Sequence, residues 1–293
     1  EGVELFQNAT NGIVAVGSGD LNFRRVRLWK NHSFGYESIG SKGWENFENA
    51  TIWGNRAGAA KADNNASFRN SILCVTNASP VYTENGSSAH ITGDYNMYGL
   101  GSSNVIATNS GEKVAYSHLR DWQDKNKDWH SAVLDPLFVN PDAGNFHLQS
   151  RAGYWSNGTL QVSTDTSWAI DAGDPSSDWT AEPPNNGSRI NMGAYGGTAE
   201  ASLSDTNFPE FLPITLRDGG VAPDGQNLYW LFRGLDPATE IRIEYSADGG
   251  ANWTVVAGGF SAGYFPLAWA EFGATPPGAV LREVVENERI VGG

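Results

Sequence analysis

A six-residue phrase occurs three times near the start of the chain: VELFQN at 3–8, VRLWKN at 26–31 and ATIWGN at 50–55. In each copy a small or apolar residue, an apolar residue, an aromatic residue and an asparagine occupy the same places. FRNSILCVT at 68–76 is a weaker fourth copy, and the successive spacings are 23, 24 and 21 residues. Such a period, with short β-type phrases, is typical of a solenoid.

The residues between the phrases decide which solenoid is expected. They lack the leucine spacing of leucine-rich repeats and show no helical periodicity. The sequence therefore predicts an all-β parallel β-helix, in which equivalent residues of successive turns stack. Alternation along each strand predicts an inward and an outward column. The inward column contains Leu5, Leu28 and Ile52, and the outward column contains Phe6, Trp29 and Trp53.

The outward aromatic column is a candidate glycan-binding surface or interface. Stacked coils lie ~4.8 Å apart, close to the repeat of one sugar unit, and aromatic rings pack on the apolar faces of sugars. Nearby basic residues that could contact acidic sugars are Arg27, Lys30 and Arg56. The alternative is that a loop or a neighbouring subunit covers the column, because exposed aromatic patches usually mark interfaces.

The asparagines that end the three phrases predict a structural ladder. Asn8, Asn31 and Asn55 would stack at one corner of the coil, where their amides can hydrogen-bond one another and the backbone of the bend. Gly and Asn at the corners would allow the positive φ angles of sharp bends. Gly12 and Gly35 also occupy matching places in the repeat.

Charge and apolar content limit the classes of partner. The net charge is −14 at pH 7, which disfavours nucleic acid and anionic membrane surfaces. No apolar run is long enough for a membrane-spanning helix, so membrane insertion is not expected. The one cysteine, Cys74, excludes an intrachain disulfide and is expected to be buried.

The segments after residue 90 carry a family resemblance. DYNMYG, LRDW, DPLFVNPDAGNFHLQS, AIDAGDP and RINMGAYGGT occur in that order. This order resembles the C-terminal portion of secreted bacterial right-handed parallel β-helix repeat proteins. The resemblance covers about residues 1–200 and implies a right-handed coil with a terminal cap. Trp122, Trp129, Phe138 and Phe146 would cover the last coil, and AIDAGDP and MGAYGG would form the terminal turns. The family includes polysaccharide-active enzymes and large surface proteins.

A second module is expected after a linker at 201–210. Short alternating segments then follow, and SADGGANW is a strong hairpin signal. These features predict a small antiparallel β-sandwich over 211–293. The stretch EYSADGGANWTVV resembles fibronectin type III-like, and related Ig-like, modules of secreted bacterial proteins. The expected core aromatics are Tyr229, Trp230, Tyr245 and Trp253.

Catalytic signatures of β-helix enzymes are not found in the sequence. The Asn-Thr-Asp, Asp-Asp and Gly-His-Gly signatures of polygalacturonases are missing, and Asp135-Pro136 is followed by Leu137-Phe138 instead of the His-Glu of mannuronan epimerases. No column of carboxylates lies beside a base, as a lyase would require. No catalytic residue is therefore assigned. A lyase or hydrolase whose active site lies partly outside this chain is the alternative.

One acidic segment is a candidate metal site. Asp171, Asp174, Asp178 and Glu182 place carboxylates within a short, turn-rich stretch. Hard oxygen ligands on a loop are what Ca²⁺ needs. The competing interpretation is that these side chains cap turns of their own backbone. Calcium is the one cofactor that the sequence suggests.

These observations predict a non-catalytic structural or adhesive module of an extracellular or cell-surface protein. Its partners would be a polysaccharide or a neighbouring protein subunit. The first coil already contains inward apolar residues and nothing in the sequence covers it. We therefore expect further coils or a second copy at that end, the latter giving a homo-oligomer.

Overall fold

The computed structural model describes residues 1–17, 19–40, 42–63, 65–83, 91–101, 107–109, 114–126, 128–215, 227–234, 240–260, 264–266 and 280–285. The chain divides into two compact units, Glu1–Asp205 and Thr206–Gly293. Within the described residues, no helix combines the length and apolar character needed to cross a membrane. Strands are numbered below in chain order.

Three sheets form the first unit. Sheet A contains the parallel strands β1 (Glu4–Phe6), β4 (Arg27–Trp29), β7 (Thr51–Trp53), β10 (Ile72–Cys74), β13 (Met97–Gly99) and β16 (Ala132–Val133). Sheet B contains β2 (Ile13–Val16), β5 (Phe34–Ile39), β8 (Gly58–Ala62), β11 (Val81–Thr83) and β14 (Ala107–Asn109), with β15 (Val114–Tyr116) antiparallel to β14. Sheet C contains β3 (Leu21–Arg24), β6 (Trp44–Glu48), β9 (Asn65–Arg69) and β12 (Ile91–Asp94). The chain visits A, B and C in turn, so it forms a parallel β-solenoid of about four turns.

The predicted stacking of the repeat is confirmed by the strand register. Leu5 pairs with Leu28, Leu28 with Ile52 and Ile52 with Leu73. Leu28, Ile52 and Leu73 are fully buried, and Leu5 packs against the same core cluster. The third sheet adds an aromatic column in which Phe47 lies 4.6 Å from Phe23 and 4.8 Å from Phe68 between ring centroids. Burial of these columns is the main stabilising term for the coils.

The corners use positive φ angles, as expected, although not only at Gly and Asn. Between sheets A and B these angles fall one residue before the ladder asparagines, at Gln7, Lys30 and Gly54. Between sheets C and A they fall on Arg25, Asn49, Asn70 and Tyr95. The corner geometry therefore repeats even where the residue type does not. A positive φ angle costs energy at residues other than glycine, and the stacking of neighbouring coils outweighs that cost here.

A helix and two hairpins follow the coils. The helix is α1 (Leu119–Asn126), and its Trp122 packs in the solenoid core beside Tyr116. The first hairpin joins β17 (Phe138–Asn140) to β18 (Asn145–Leu148) through a 3₁₀ turn at Pro141–Ala143. The second joins β19 (Tyr154–Ser156) to β20 (Thr159–Gln161).

Two segments lie elsewhere than the sequence led us to expect. Phe146 does not lie on the last coil; it packs against Trp29 and Trp53 of the second and third coils, at 5.8 and 6.0 Å between ring centroids. AIDAGDP and MGAYGG run along the side of the coils. Asn49 donates to the carbonyls of Asn191 and Gly193, and Asn70 accepts from the Asp174 N–H. The corner side chains supply hydrogen bonds that these turn-rich segments need. We call residues 134–205 the returning segment.

The end of the returning segment corrects the predicted linker. Residues 201–205 belong to the first unit, where Ala201 is fully buried. Arg151 Nε lies 2.5 Å from the Asp205 carboxylate, and Ser202 Oγ donates to the Leu148 carbonyl. These contacts fix the first half of the 201–210 stretch.

The second unit contains two small antiparallel sheets. One consists of β21 (Glu210–Pro213), β22 (Asn227–Arg233) and β25 (Tyr264–Pro266). The other consists of β23 (Ile241–Ser246), β24 (Thr254–Phe260) and β26 (Val280–Val285). The predicted hairpin joins β23 to β24, with positive φ at Gly249 and Gly250. Tyr229, Trp230 and Tyr245 are buried as expected, whereas Trp253 is half-buried.

Candidate functional site

The outer face of sheet A brings the predicted aromatic column together. Phe6 pairs with Trp29, and Trp29 with Trp53, in adjacent coils. The Phe6 and Trp29 rings are stacked, with centroids 4.6 Å apart and planes within 9° of parallel. The exposed fraction differs sharply along the column: Phe6 is 45% exposed, Trp29 only 6%, and Trp53 is half-buried. The column is therefore not one open strip.

The β17–β18 hairpin covers the middle of the column. Gly144 has φ +78°, and a Cβ there would lie 2.7 Å from a Trp29 ring carbon, so the turn approaches the indole as closely as a glycine permits. Phe146 meets Trp29 edge to face. The indole N–H of Trp29 donates to Glu4 at 2.9 Å. The covering element is thus the chain itself, which is one of the two alternatives that the sequence left open.

The three predicted basic residues have different surroundings. Arg27 Nη2 lies 3.1 Å from the Glu4 carboxylate, and its guanidinium lies over the Tyr195 ring. Lys30 Nζ lies 2.7 Å from the Asp142 carboxylate and over the Trp53 ring at 5.5 Å from the centroid. Arg56 is exposed. Two of the three cations are therefore already engaged in contacts within the chain.

Hydrogen bonds join the three asparagines Asn8, Asn31 and Asn55 in successive coils. Asn31 Oδ1 accepts from the Asn8 backbone and side-chain N–H groups, and Asn55 Oδ1 accepts in the same way from Asn31. Asn31 Nδ2 also donates to the Leu5 carbonyl, and Asn55 Nδ2 to the Leu28 carbonyl. Each buried amide thus fixes a corner of the coil and connects it to the next coil.

Two glycines recur at the repeat spacing along this ladder for a steric reason. A Cβ on Gly12 would lie 2.6 Å from the Gly35 carbonyl oxygen and 2.9 Å from Asn31 Nδ2. A Cβ on Gly35 would lie 2.8 Å from Asn55 Nδ2 and would also meet the Ile52 side chain. Glycine at these positions makes room for the ladder amides of the neighbouring coil.

A cavity of about 620 Å³ lies farther along the same outer face. Beyond Trp53 the outward side chains of sheet A become small, namely Cys74 and Gly99. The returning segment crosses over them between Leu134 and Phe138, and Gln149 completes the wall. Because little side-chain volume lies beneath this crossing, a space remains. Sequence alone did not predict this cavity, since the returning segment was expected on the last coil.

The four predicted calcium ligands accept hydrogen bonds within the returning segment, and only Asp174 and Asp178 bind their own turns. Asp178 is exposed, and its hydrogen bonds from Thr180 lower the pKa of its carboxyl. Asp174 accepts from Ser176, and Asp171 accepts from the Gly187 N–H. In the part of the chain that the structure describes, no three His, Cys, Asp or Glu side chains are grouped as a metal site. Calcium binding at these residues stays a prediction.

Glu182 has a structural role that its sequence position did not reveal. Its Oε1 accepts from the N–H groups of Asn191 and Gly197, at 2.8 and 2.7 Å. Burial raises the pKa of this carboxyl to about 7, and Asp171 adds to the shift. This side chain holds two turns of the returning segment together.

A second buried carboxyl lies at the far end of the coils. Asp128 is fully buried and accepts hydrogen bonds from Tyr98, Ser131 and the Trp122 indole N–H. Burial raises the pKa of Asp128 to about 6, although these hydrogen bonds oppose the shift. The group ties the α1 region to the fifth strand of sheet A. No sequence motif indicates this group.

Comparison with family models, curated proteins and solved structures finds no match to this chain. The architecture defines it as a parallel β-solenoid, consistent with a β-helix, followed by a unit of small antiparallel sheets.

Proposed function

We propose that this chain is a non-catalytic structural and adhesive module of an extracellular or cell-surface protein. The resemblance to secreted bacterial right-handed β-helix proteins, and of the second unit to fibronectin type III-like sandwiches, supports this assignment. The observation that carries the proposal is the connection of successive coils by polar side chains as well as by strand pairing. A scaffold held in this way presents fixed surfaces to a partner.

Charged residues contribute to these connections. Glu4 pairs with Arg27 at 3.1 Å, Arg24 with Glu48 at 3.0 Å and Glu37 with Lys61 at 2.9 Å, each across one coil. Single exposed pairs contribute little, typically less than about 1 kcal/mol. Here these pairs help to fix the register of the coils, because each pair opposes slippage of one coil past the next.

The partner we propose is a polysaccharide, bound on the outer face of sheet A. The test is retention of the full chain on surfaces coated with neutral and uronate polysaccharides. The same samples are assayed for unsaturated sugars and new reducing ends, which a lyase or a hydrolase would produce. We expect retention without product. Product that increases in proportion to chain concentration would overturn the proposal in favour of a polysaccharide-active enzyme.

A second contact surface is proposed on the first coil. Its apolar side chains are unusually exposed: Val3 44%, Val14 45% and Val16 71%. Burying apolar area of this kind favours association. We propose that a second copy of the chain packs here. Sedimentation of the parent and of Val16→Glu over a wide concentration range tests self-association. Monomeric sedimentation of the parent at the highest concentration would contradict association between copies.

A further inference from the structure

We propose that the cavity beside Trp53 is a binding site for a neutral sugar residue. This inference deepens the proposed adhesive function and rests on it, because it places the polysaccharide contact in one cavity instead of along the aromatic column. At about 620 Å³ the cavity falls within the usual range of ligand pockets, roughly 300–1,000 Å³.

The shape of the cavity follows from the floor of sheet A. Cys74 and Gly99 stack in adjacent coils, and a Cβ on Gly99 would lie 2.5 Å from Cys74 Sγ. The same Cβ would lie 3.6 Å from Pro136 Cδ, so the returning segment passes directly above the glycine. Trp53, one coil earlier, is large and forms a side wall. The site is therefore a recess bounded by an indole, with a floor made of small residues.

The lining combines an aromatic ring with hydrogen-bond acceptors, as a sugar requires. Indole faces pack on the C–H groups of pyranose rings. Gln149 donates its Nε2–H to the Phe138 carbonyl at 3.2 Å, which orients the amide, and its Oε1 has no partner among the described residues. Asp135 is exposed, and its Oδ1 accepts from the Leu137 N–H. Both side chains can accept from sugar hydroxyls.

Charge selects a neutral sugar over an acidic one. Asp135 is the charged side chain among the described lining residues, and burial raises the pKa of the Cys74 thiol, which keeps it neutral. A uronate carboxylate would be repelled by Asp135. Of the three cations expected to attract acidic sugars, Arg27 and Lys30 are paired with Glu4 and Asp142, and Arg56 does not line the cavity. The local charges therefore favour a neutral sugar in this cavity.

The experiment is calorimetric titration of the full chain with neutral hexasaccharides of glucose, xylose and mannose, and with trigalacturonate as the acidic probe. We expect at least one neutral probe to bind. Trp53→Ala should weaken that binding about tenfold, from loss of the stacking contact. Phe6→Ala is the matched control, because Phe6 belongs to the same column but lies outside the cavity, and its binding should stay within about twofold.

A second variant keeps the test decisive. If Trp53→Ala lowers the melting temperature too far, Gln149→Met replaces it, since that change removes the acceptor while retaining much of the side-chain length.

The outcomes separate this inference from the wider proposal. If Trp53→Ala and Phe6→Ala weaken sugar binding equally, the sugar binds along the aromatic column. That result would overturn the proposed site in the cavity. Binding of trigalacturonate alone, or of no probe, would also overturn it, while retention on polysaccharide surfaces would leave the adhesive role intact. Enzymatic product would overturn the adhesive role, whatever the cavity binds.

Discussion

The coils and the returning segment are held by different kinds of contact. In the coils, each residue meets its equivalent one turn away: Asn31 bonds Asn55, 24 positions on. In the returning segment, each residue meets an unrelated one: Asn49 bonds the carbonyl of Asn191, 142 positions on. Because the coils repeat, the local sequence specifies them. The returning segment depends instead on contacts that no sequence period indicates. Changes in the two regions should therefore have different consequences for stability.

The largest effect is expected at the ladder. Asn31→Ala removes a buried amide that joins three coils, leaving the Asn8 N–H and the Leu5 carbonyl without their partner. We expect a loss of about 3 kcal/mol in the free energy of unfolding, measured by denaturant titration of the full chain. Asn46→Ala is the control, because Asn46 bonds Asn22 at an exposed site. Equal losses in the two variants would show that the ladder has no special role.

The next change tests the covering hairpin. Phe146→Ala removes the ring that packs on Trp29, Trp53 and Phe138. We expect a loss of about 3 kcal/mol in the free energy of unfolding, or somewhat less if the hairpin moves into the cavity that the ring leaves. The β-sheet circular dichroism signal should survive while tryptophan fluorescence shifts to longer wavelength. Loss of the whole circular dichroism signal would mean that the coils and the hairpin unfold as one cooperative unit.

A smaller effect is expected at the glycine column. Gly35→Ala places a methyl group against the Ile52 side chain and Asn55 Nδ2. The crowding should cost about 2 kcal/mol, read from the same denaturant titration. Gly19→Ala is the matched control, since a Cβ at Gly19 meets nothing within 4 Å. If both variants unfold like the parent, the steric explanation of the repeated glycine is wrong.

A change of one pH unit gives the smallest expected effect on stability. The pKa of Glu182 rises from 4.5 to about 7 on folding, so the folded state binds more protons in that interval. The contribution of Glu182 to stability should therefore fall as pH rises from 4.5 to 7, with a slope below about 1.4 kcal/mol per pH unit. Asp128 acts in the same direction as Glu182 up to about pH 6. His147 opposes both below about pH 6.5, because burial lowers the pKa of its imidazole from 6.5 to about 4.

Substitution separates the two carboxyls. Above about pH 6.5 the falling contribution should come mainly from Glu182, because most of Asp128 is ionised there. Glu182→Gln keeps an acceptor for the Asn191 and Gly197 N–H groups and removes the buried charge. The fall in stability that Glu182 causes should be absent from thermal unfolding of this variant between pH 6.5 and 8. An unchanged slope would assign the effect to another group.

The sequence specifies the coils well because their determinants recur. The columns of Leu5 and Asn8, the αL corners and the Asp248 hairpin all follow from spacing and turn chemistry. The site was only partly predictable. Alternation correctly places Trp29 outward, but it does not say what lies on top of it. Glu45 illustrates the same limit: glutamate is usually exposed, yet this side chain is fully buried inside the solenoid.

The corner residues that hold the returning segment also set the number of coils. The contacts occur at intervals of one coil: Asn70 binds Asp174, Asn49 binds Asn191 and Arg25 binds Gly197. Deleting a coil between two of these residues would keep the core columns continuous but would displace one anchor by the height of a strand. A solenoid without such a segment can gain or lose whole turns during evolution. In this protein the returning segment would have to change length at the same time.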